Sequence, residues 1–427
     1  MKFFSAANIL RIAPWLITLL FLPYLFLRAK FGGDFLCYLG AADALANGKN
    51  CYNTWFSYQY INVGVQYSYS PFFALILIPT TFFQNQIVLF VFLLTCLIMF
   101  WRLWFIISDR LQIHSLIAKE QLFWSALLFF SVIRFLLHNF EMVQVNLMIF
   151  YFSVEGLYQI SKNRKITGGF LLGAGIAIKL LPLLFVPYLI YRKEAKAAVS
   201  AVSFFAITLL LPIPFLGVEF TTQLLINWWH IINPLRPEYT YLQSEYGGVG
   251  IQSLSAFVST YFVKSNYQGF SISIMNLREE QVKIVLYFLQ SLFVVFTLYF
   301  LSNRPFTSPR NDIHAFYEQA YIFAITPLIF PHQQKYAFIY LMAAYAFVYA
   351  DVVLRKKKDS NSIRWLYFLL IIAFVLLTLS TDGLTGKYMG AILQYAKVIT
   401  LGTIILIGIL AISDRNLLLA SKKANKK

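Results

Sequence analysis

The chain has 427 residues, of which 59% are hydrophobic and only 12% are charged. Soluble domains carry roughly 25% charged residues, so this composition excludes a water-soluble fold. The formal net charge is +17, but the basic residues lie between apolar runs, where they orient a protein in a membrane and contact anionic lipid. We therefore expect an all-α polytopic membrane protein whose partners include membrane lipids but no nucleic acid.

Twelve apolar runs predict membrane-crossing helices, since about 20 helical residues span a hydrocarbon core about 30 Å thick. They cover residues 9–27, 86–107, 121–137, 143–160, 166–179, 181–191, 196–214, 281–301, 317–331, 335–351, 363–380 and 392–412. The first run follows Lys2 and lacks a small-residue cleavage site, which indicates a retained anchor. A further stretch, Pro71 to Phe83, is too short to cross easily and predicts an interfacial or re-entrant helix.

The basic residues are distributed unevenly between the two sides of these runs. With the N-terminus in the cytoplasm, 23 Lys and Arg residues lie at inner segment ends and nine at outer ends, as cytoplasmic loops require. This orientation holds if Pro71 to Phe83 does not cross and if the runs meeting at Pro182 form a hairpin rather than one kinked helix. It predicts a single integral membrane domain over 1–427. Two long extracytoplasmic loops, 28–85 and 215–280, carry short interfacial helices, and a basic cytoplasmic tail covers 413–427.

The first outer loop contains a candidate catalytic residue, Asp34. It follows Gly32 and Gly33 and precedes an apolar pattern that predicts a short helix ending at Asn47-Gly48. An aspartate at this position is a common helix N-cap. Alternatively, a carboxylate just outside the bilayer, beside glycines that leave room for a substrate, acts as a general base.

A polar cluster stands where one apolar run begins. Glu141 and Gln144 fall on one helical face, whereas Asn146 points to roughly the opposite side. Polar groups at this depth face a cavity or bond to neighbouring helices, and the residues alone favour neither interpretation.

Three basic side chains at outer segment ends are candidates for binding an anion. Lys179 ends a glycine-rich run, and an ammonium at membrane depth either snorkels to the surface or pairs with an anion such as the phosphate of a lipid-linked substrate. His332 and Lys335 are three residues apart, so a helical start would place both on one face to bind phosphate. The alternative is a plain interfacial anchor. One His and one Lys make no metal-ligand set, and we predict no metal and no other cofactor.

The outer loops hold further features whose roles the sequence leaves open. Cys37 and Cys51 share the first loop, where an oxidising compartment permits a disulfide. In the second loop, Trp228-Trp229 indicate an interfacial helix. A glycine-rich turn there leads into Gln252, which could line a polar site.

Taken in chain order, these segments resemble glycosyltransferase family 87, membrane mannosyltransferase-like enzymes of the GT-C superfamily. The resemblance covers roughly residues 30–340. Asp34-Phe35, Tyr38 and Tyr52 are similar to the family's first-loop signature, and Gly168 to Lys179 resembles its glycine-rich, lysine-bearing stretch. The other similar segments are Tyr69-Ser70-Pro71-Phe72, Gln144-Val145-Asn146, Gln252-Ser253-Leu254 and His332. Val143 replaces a family glycine, Ile251 replaces an asparagine, and Gln333 replaces the second histidine of a frequent pair.

The resemblance implies a GT-C-like bundle of about 12 transmembrane helices in the cell (inner) membrane, with both termini cytoplasmic. It implies inverting transfer of a hexose, mannose in this family, from a polyprenyl-phosphate sugar donor to a glycolipid or glycan acceptor at the outer face. Asp34 is then the base. The motifs and the polar clusters together give the candidate substrate-binding residues, which are Tyr38, Glu141, Gln144, Asn146, Lys179, Gln252, His332 and Lys335.

The alternative function is a flippase or transporter of lipid-linked saccharide. Such a protein should carry charged or broken helices near the membrane midplane, together with inverted repeats. In this sequence the polar clusters lie at outer segment ends, which favours the enzyme.

Overall fold

The computed structural model describes residues 5–58, 61–240, 248–267, 269–301, 304–355 and 361–413, and most of these residues are helical. In chain order the α-helices are α1 (Ala6–Phe31), α2 (Phe35–Ala46), α3 (Pro71–Leu77), α4 (Asn85–Arg110), α5 (Ala118–Glu141), α6 (Asn146–Ser161), α7 (Lys165–Ile178), α8 (Phe185–Tyr191), α9 (Ala195–Leu210), α10 (Ile213–Leu216), α11 (Val218–Ile232), α12 (Leu254–Phe262), α13 (Glu279–Phe300), α14 (Asp312–Ile329), α15 (Met342–Arg355), α16 (Asn361–Phe374), α17 (Asp382–Thr385), α18 (Lys387–Tyr395) and α19 (Val398–Ile412).

Shorter helical segments extend or join these helices. They are the 3-10 helices Ile78–Phe82, Ile113–Ser115, Leu181–Leu184, Pro237–Tyr239 and Lys335–Leu341, and the π-helix Val375–Leu379. The first outer loop also contains an antiparallel hairpin of β1 (Trp55–Tyr58) and β2 (Ile61–Gln66), in which Trp55 pairs with Gln66. The sequence did not predict this hairpin.

Six helical segments among the described residues are long and apolar enough to cross a membrane. They are Ala6–Phe31, Asn85–Arg110, Ala118–Glu141, Ala195–Leu216, Glu279–Phe300 and Lys335–Leu354. A seventh results if α18 and α19, which are bent by 59° at their junction, count as one span. The expected helical, polytopic class is therefore confirmed, whereas twelve transmembrane helices stay a prediction.

The first outer loop leaves and returns at the same end of the bundle. Helices α1 and α4 are antiparallel: the Phe26 and Phe90 rings lie 5.8 Å apart, and the Trp101 indole donates to the Thr18 hydroxyl at 2.9 Å. Helix α4 thus begins at the end where α1 finishes. Because no net crossing occurs between them, α3 does not traverse the bundle, as the sequence predicted for Pro71 to Phe83.

Helices α7 and α8 form the predicted hairpin. The ammonium of Lys165, at the start of α7, lies 2.9 Å from the Glu194 carboxylate just beyond α8. The start of α7 and the end of α8 therefore lie together at one end of the bundle. At this same end Arg192 donates to the Leu301 carbonyl at 2.5 Å. We call it the basic end and the opposite one, with Asp34 and Lys179, the site end. Both structural conditions for the predicted orientation are met, although which end faces the cytoplasm stays a prediction.

The core of the bundle is the segment Lys335–Leu354. The membrane-spanning stretch of this segment is entirely buried. The Trp124 indole of α5 donates to its Ala346 carbonyl at 3.0 Å. A helix that is apolar all round is stable only when other elements surround it. Because neighbouring helices surround this segment, they also position the turn that precedes it, which carries His332.

The two loop cysteines do not cross-link. Cys37 and Cys51 are both buried and are not joined by a disulfide. Of the two possibilities that the sequence left open, the structure has the unbridged one, so packing rather than a covalent bond holds this loop.

Candidate active site

Backbone contacts fix the position of Asp34. Gly32 has φ +71°, a conformation that glycine adopts without strain, and it turns the chain from α1 into α2. A Cβ on Gly33 would lie 2.6 Å from the Met142 carbonyl oxygen, and the Asp34 amide donates to that oxygen at 2.8 Å. The expectation that these glycines leave room for a substrate was therefore wrong: Gly33 allows the two chain segments to touch.

The Asp34 side chain does not cap α2. Asp34 has helical φ and ψ angles, and its carboxylate makes no capping hydrogen bond. Instead Oδ2 accepts a hydrogen bond from Nε2 of Gln144, which is 110 residues away in the chain. Asp34 occupies the N-cap position as expected, but capping does not explain its side chain. The carboxylate instead joins two chain segments at the site end.

Gln144 is the centre of a buried polar network. Its Oε1 lies 3.1 Å from the Tyr38 hydroxyl, 3.2 Å from the Tyr69 hydroxyl and 3.0 Å from Nδ2 of Asn146. These donors fix the amide with its oxygen toward the network and its nitrogen toward Asp34. Tyr38, Gln144 and Asn146 are almost wholly buried, so they position the carboxylate rather than offer open binding surface.

A strained turn presents Gln144 to Asp34. Helix α5 ends at Glu141, and Val143 adopts φ +48°, a left-handed conformation that is unfavourable for a β-branched residue. Strain of this kind costs about 1–3 kcal/mol and persists where surrounding structure enforces it. The family glycine that Val143 replaces would adopt this conformation freely.

Lys179 reaches the same cluster from α7. It follows the last helical residue in an extended conformation, and its ammonium lies 5.6 Å from the centre of the Tyr69 ring. The neighbouring Ser70 hydroxyl donates to the Ala177 carbonyl, which fastens the Tyr69 segment to the end of α7. Lys179 and Asp34 are close enough for their opposite charges to interact.

The surroundings of Asp34 favour its protonated form. Burial raises the pKa of Asp34 to about 6, while the Gln144 hydrogen bond and the Lys179 charge act in the opposite direction. The carboxylate keeps some exposed surface. A carboxyl group with its pKa close to the working pH is suited to accept and release a proton.

Lys179 and His332 line one cavity of about 110 Å³. Its wall also contains Trp228 and Tyr239, and the Tyr239 ring lies 5.8 Å from the His332 ring. Ser68, Gln333 and five apolar side chains complete the lining. Two basic groups beside aromatic and apolar surface can hold a phosphate attached to a hydrocarbon or a sugar.

His332 and Lys335 do not share a helical face, contrary to the sequence expectation. The 3-10 helix starts only at Lys335, so His332 lies in the preceding turn. The Lys335 side chain, together with Glu141, lines a separate cavity. The structure therefore brings together Asp34, Tyr38, Gln144, Asn146, Lys179 and His332, and places Glu141 and Lys335 elsewhere.

Gln252 bonds to the backbone beside the site. Its side-chain amide donates to the backbone carbonyls of Gln394 at 2.9 Å and Val249 at 3.1 Å, and it is wholly buried. Its own backbone amide donates to the Gln333 carbonyl at 2.8 Å, beside His332. The expectation that it lines an open polar site is not met, because its side chain bonds to backbone.

Two residues near the site were missed by the sequence analysis. Tyr69 was noted only within its motif, although its hydroxyl contacts Gln144 and its ring faces Lys179. Lys397 was treated as part of a span, yet its buried ammonium donates to the Ile251 carbonyl at 2.9 Å. Its position inside the apolar run 392–412 was the available signal, since a buried lysine needs acceptors.

Comparison with known proteins identifies the family. The model of glycosyltransferase family 87 matches residues 67–331, which is more than half of the chain and includes Tyr69, Gln144 and Lys179. His332 lies one residue beyond the matched residues, and Asp34 lies 33 residues before them. No match was found among curated proteins or among solved structures. The chain belongs to glycosyltransferase family 87 and is a glycosyltransferase of the membrane.

Proposed function

We propose that the enzyme transfers a hexose, mannose by the family resemblance, from a polyprenyl-phosphate sugar to a glycolipid or glycan acceptor. The observation that carries this proposal is that the Asp34 carboxylate, held by Gln144, lies at the same end of the bundle as Lys179 and His332. One base and a cationic cavity are what a displacement of phosphate by a hydroxyl requires. The proposal involves no cofactor.

In this reaction Asp34 is the general base. The acceptor oxygen bonds to the anomeric carbon as the bond between that carbon and the phosphate oxygen breaks, and the phosphate keeps the electron pair. The hydroxyl proton passes to the Asp34 carboxylate. Since Gln144 holds Oδ2, we assign the proton to Oδ1. A single displacement on the face opposite the phosphate inverts the anomeric configuration.

The leaving phosphate is assigned to the cavity of Lys179 and His332. An ammonium stabilises the negative charge that grows on the phosphate as the bond breaks, and a low-dielectric site strengthens that interaction. Apolar and aromatic side chains beside the two basic groups suit the start of a polyprenyl chain. Glu141, Lys335 and Gln252 have no part in this assignment.

The proposed setting follows the charge distribution. The chain forms a single integral domain of the cell (inner) membrane, with both termini cytoplasmic and the site end extracytoplasmic. The loops of the basic end would then meet the cytoplasm, in agreement with the positive-inside rule.

The direct test is product formation. Purified protein in detergent is incubated with polyprenyl-phosphate mannose, polyprenyl-phosphate glucose and a panel of glycolipid acceptors, and products are followed by mass spectrometry. We expect sugar-dependent product and, by NMR, an inverted anomeric centre. A retained configuration would contradict the single displacement.

The same protein distinguishes the enzyme from a lipid-linked saccharide flippase. Reconstituted in vesicles containing fluorescent polyprenyl-phosphate sugar, a flippase would move the lipid between leaflets without acceptor, whereas the enzyme should not. Movement without any covalent product would replace the proposed function.

A further inference from the structure

A second and larger cavity lies at the site end, on the other side of the α5 terminus. It has a volume of about 670 Å³ and lies between α1, α5 and the segment from α16 to α17. We call it the Arg134 cavity. Its apolar lining consists of Phe130, Ile133, Leu137, Phe374, Leu379 and Leu384. Its ionisable lining consists of Tyr24, Arg28, Arg134, His138, Glu141, Lys335 and Asp382.

Arg134 is a buried cation whose hydrogen bonds go to neutral groups. Its side chain is 9% exposed, and the guanidinium donates to the Leu377 carbonyl at 2.8 Å and to the Ser380 carbonyl at 2.6 Å and hydroxyl at 2.8 Å. It lies seven residues before the end of the candidate span Ala118–Glu141, or about 10 Å along the helix. A charge at that depth is costly unless an anion accompanies it.

Two carboxylates line the cavity and offset part of its positive charge: Glu141 is near Arg28 and Lys335, and Asp382 is near Arg134 and Lys335. Glu141 lies 3.3 Å from the His138 ring, and Asp382 accepts a hydrogen bond from Gln394 at 3.1 Å. Arg28 donates to the Glu141 main-chain carbonyl at 2.6 Å rather than to its carboxylate. Within the described part of the chain, half-buried Lys335 has no carboxylate within ion-pair distance. Three permanent cations therefore face two carboxylates.

We propose that the Arg134 cavity binds a lipid that carries a phosphate group. The phosphate lies against Arg134 and Lys335 and supplies the missing negative charge, while the hydrocarbon chain packs on the apolar lining. The mixed lining commits the cavity to an amphiphile, because inorganic phosphate would leave six large apolar side chains uncovered. This site is separate from the cavity of Lys179 and His332, and the proposal does not depend on glycosyl transfer.

The position of the cavity would place such a lipid next to the turn after α5 that presents Gln144 to Asp34. Residues 138–144 separate the two sites: His138 and Glu141 face the Arg134 cavity, whereas the Met142 carbonyl and Gln144 bond to Asp34. A lipid in the cavity thus contacts the chain segment that holds the proposed base.

Binding of defined probes to the full-length protein in detergent tests the proposal. The probes are dioctanoyl phosphatidic acid, dioctanoylglycerol with the same chains but no phosphate, and inorganic phosphate, with complexes measured by native mass spectrometry. We expect phosphatidic acid to bind at least tenfold more tightly than either of the others. Equal binding of dioctanoylglycerol would show an apolar cavity only, and equal binding of inorganic phosphate would show an anion site without a chain pocket. Either result would overturn the proposal.

Variants locate the site. Arg134→Gln and Lys335→Gln should each weaken binding of phosphatidic acid at least tenfold. Lys162→Gln, an exposed lysine at the basic end, is the matched control and should bind like the unaltered protein. If Arg134→Gln fails to fold, Lys335→Gln decides, because Lys335 makes no ion pair among the described residues whose loss would unfold the chain. Unchanged affinity in Lys335→Gln, or a loss confined to Lys179→Gln, would refute the assignment to this cavity.

Discussion

Asp34 combines a partly buried carboxylate with one amide donor, Gln144, and one nearby ammonium, Lys179. Each neighbour has a separable effect on its charge. Gln144 and Lys179 stabilise the carboxylate, whereas burial stabilises the carboxylic acid. The balance decides whether the group is available as a base, and two predictions follow at this scale.

Asp34→Asn should abolish most of the activity without unfolding the protein. Asparagine keeps the size of the side chain, and its amide oxygen can still accept from Gln144, but it takes no proton near neutral pH. We expect turnover to fall by roughly 10² to 10⁴ fold with donor binding retained. Asp43→Asn is the matched control, because Asp43 is an exposed residue on the same helix whose carboxylate accepts from Asn47 at the helix end. Near-normal turnover in a folded Asp34→Asn variant would remove Asp34 from the mechanism.

The activity should decline in acid as Asp34 becomes protonated. Because burial raises the pKa of Asp34 to about 6, the base is ionised above that pH and progressively lost below it. A pH profile of kcat/KM should therefore be flat above pH 7 and fall about tenfold per unit below pH 5. Gln144→Met removes the hydrogen bond that lowers this pKa, so the acid limb should move to higher pH. If the acid side of the pH profile does not move in Gln144→Met, a group other than Asp34 titrates.

At the scale of secondary-structure elements, the site depends on how closely α2 approaches the end of α5. The approach is possible because Gly33 has no Cβ, since one would lie 2.6 Å from the Met142 carbonyl oxygen and 3.0 Å from a Val143 methyl group. The Tyr69 segment reaches the same point because Ser70 fastens it to the end of α7, beside Lys179. Three loops thus meet at one place, and each is fixed by a backbone contact.

Gly33→Ala should separate these elements. The added methyl group pushes α2 away from Met142 and weakens the contact of Asp34 with Gln144, at a cost of about 1–3 kcal/mol typical of overpacking. We expect a lower thermal unfolding temperature in detergent together with reduced turnover. Gly408→Ala is the control, since a Cβ there meets no atom within 4 Å. Unchanged stability and activity in Gly33→Ala would show that the close approach is not required.

At the scale of the whole molecule, the bundle has two chemically different ends. The basic end contains the wholly buried pair of Arg192 and Glu318, in which the guanidinium Nε donates to the carboxylate at 2.8 Å, and the pair of Arg110 with Asp312 at 2.7 Å. Buried pairs of this kind tolerate loss of one partner poorly. The site end instead carries the cavity of Lys179 and His332 and the Arg134 cavity.

The two ends should face opposite sides of the membrane. Single cysteines introduced at Asn50 and Gly383, at the site end, should react with an impermeant maleimide applied to intact cells. A cysteine at Lys162, at the basic end, should react only after the membrane is permeabilised. The three native cysteines are buried and give the background for the measurement. Labelling of the Lys162 position in intact cells would invert the proposed orientation.

The sequence by itself determined the helical membrane class, the short helix after Asp34 and the family-like motifs, because these depend on local apolar periodicity and on residues close together in the chain. The shortness of the run Pro71 to Phe83 predicted that α3 does not cross, whereas the sequence left open whether the runs at Pro182 form a hairpin or one kinked helix. Only the tertiary structure decided that Asp34 bonds to Gln144 rather than capping its own helix, since that contact joins segments 110 residues apart. It also decided that Lys335 lies apart from the site of His332 and lines the Arg134 cavity. The physical reason is that a side chain's partner depends on which helices pack side by side, and no local pattern specifies that packing.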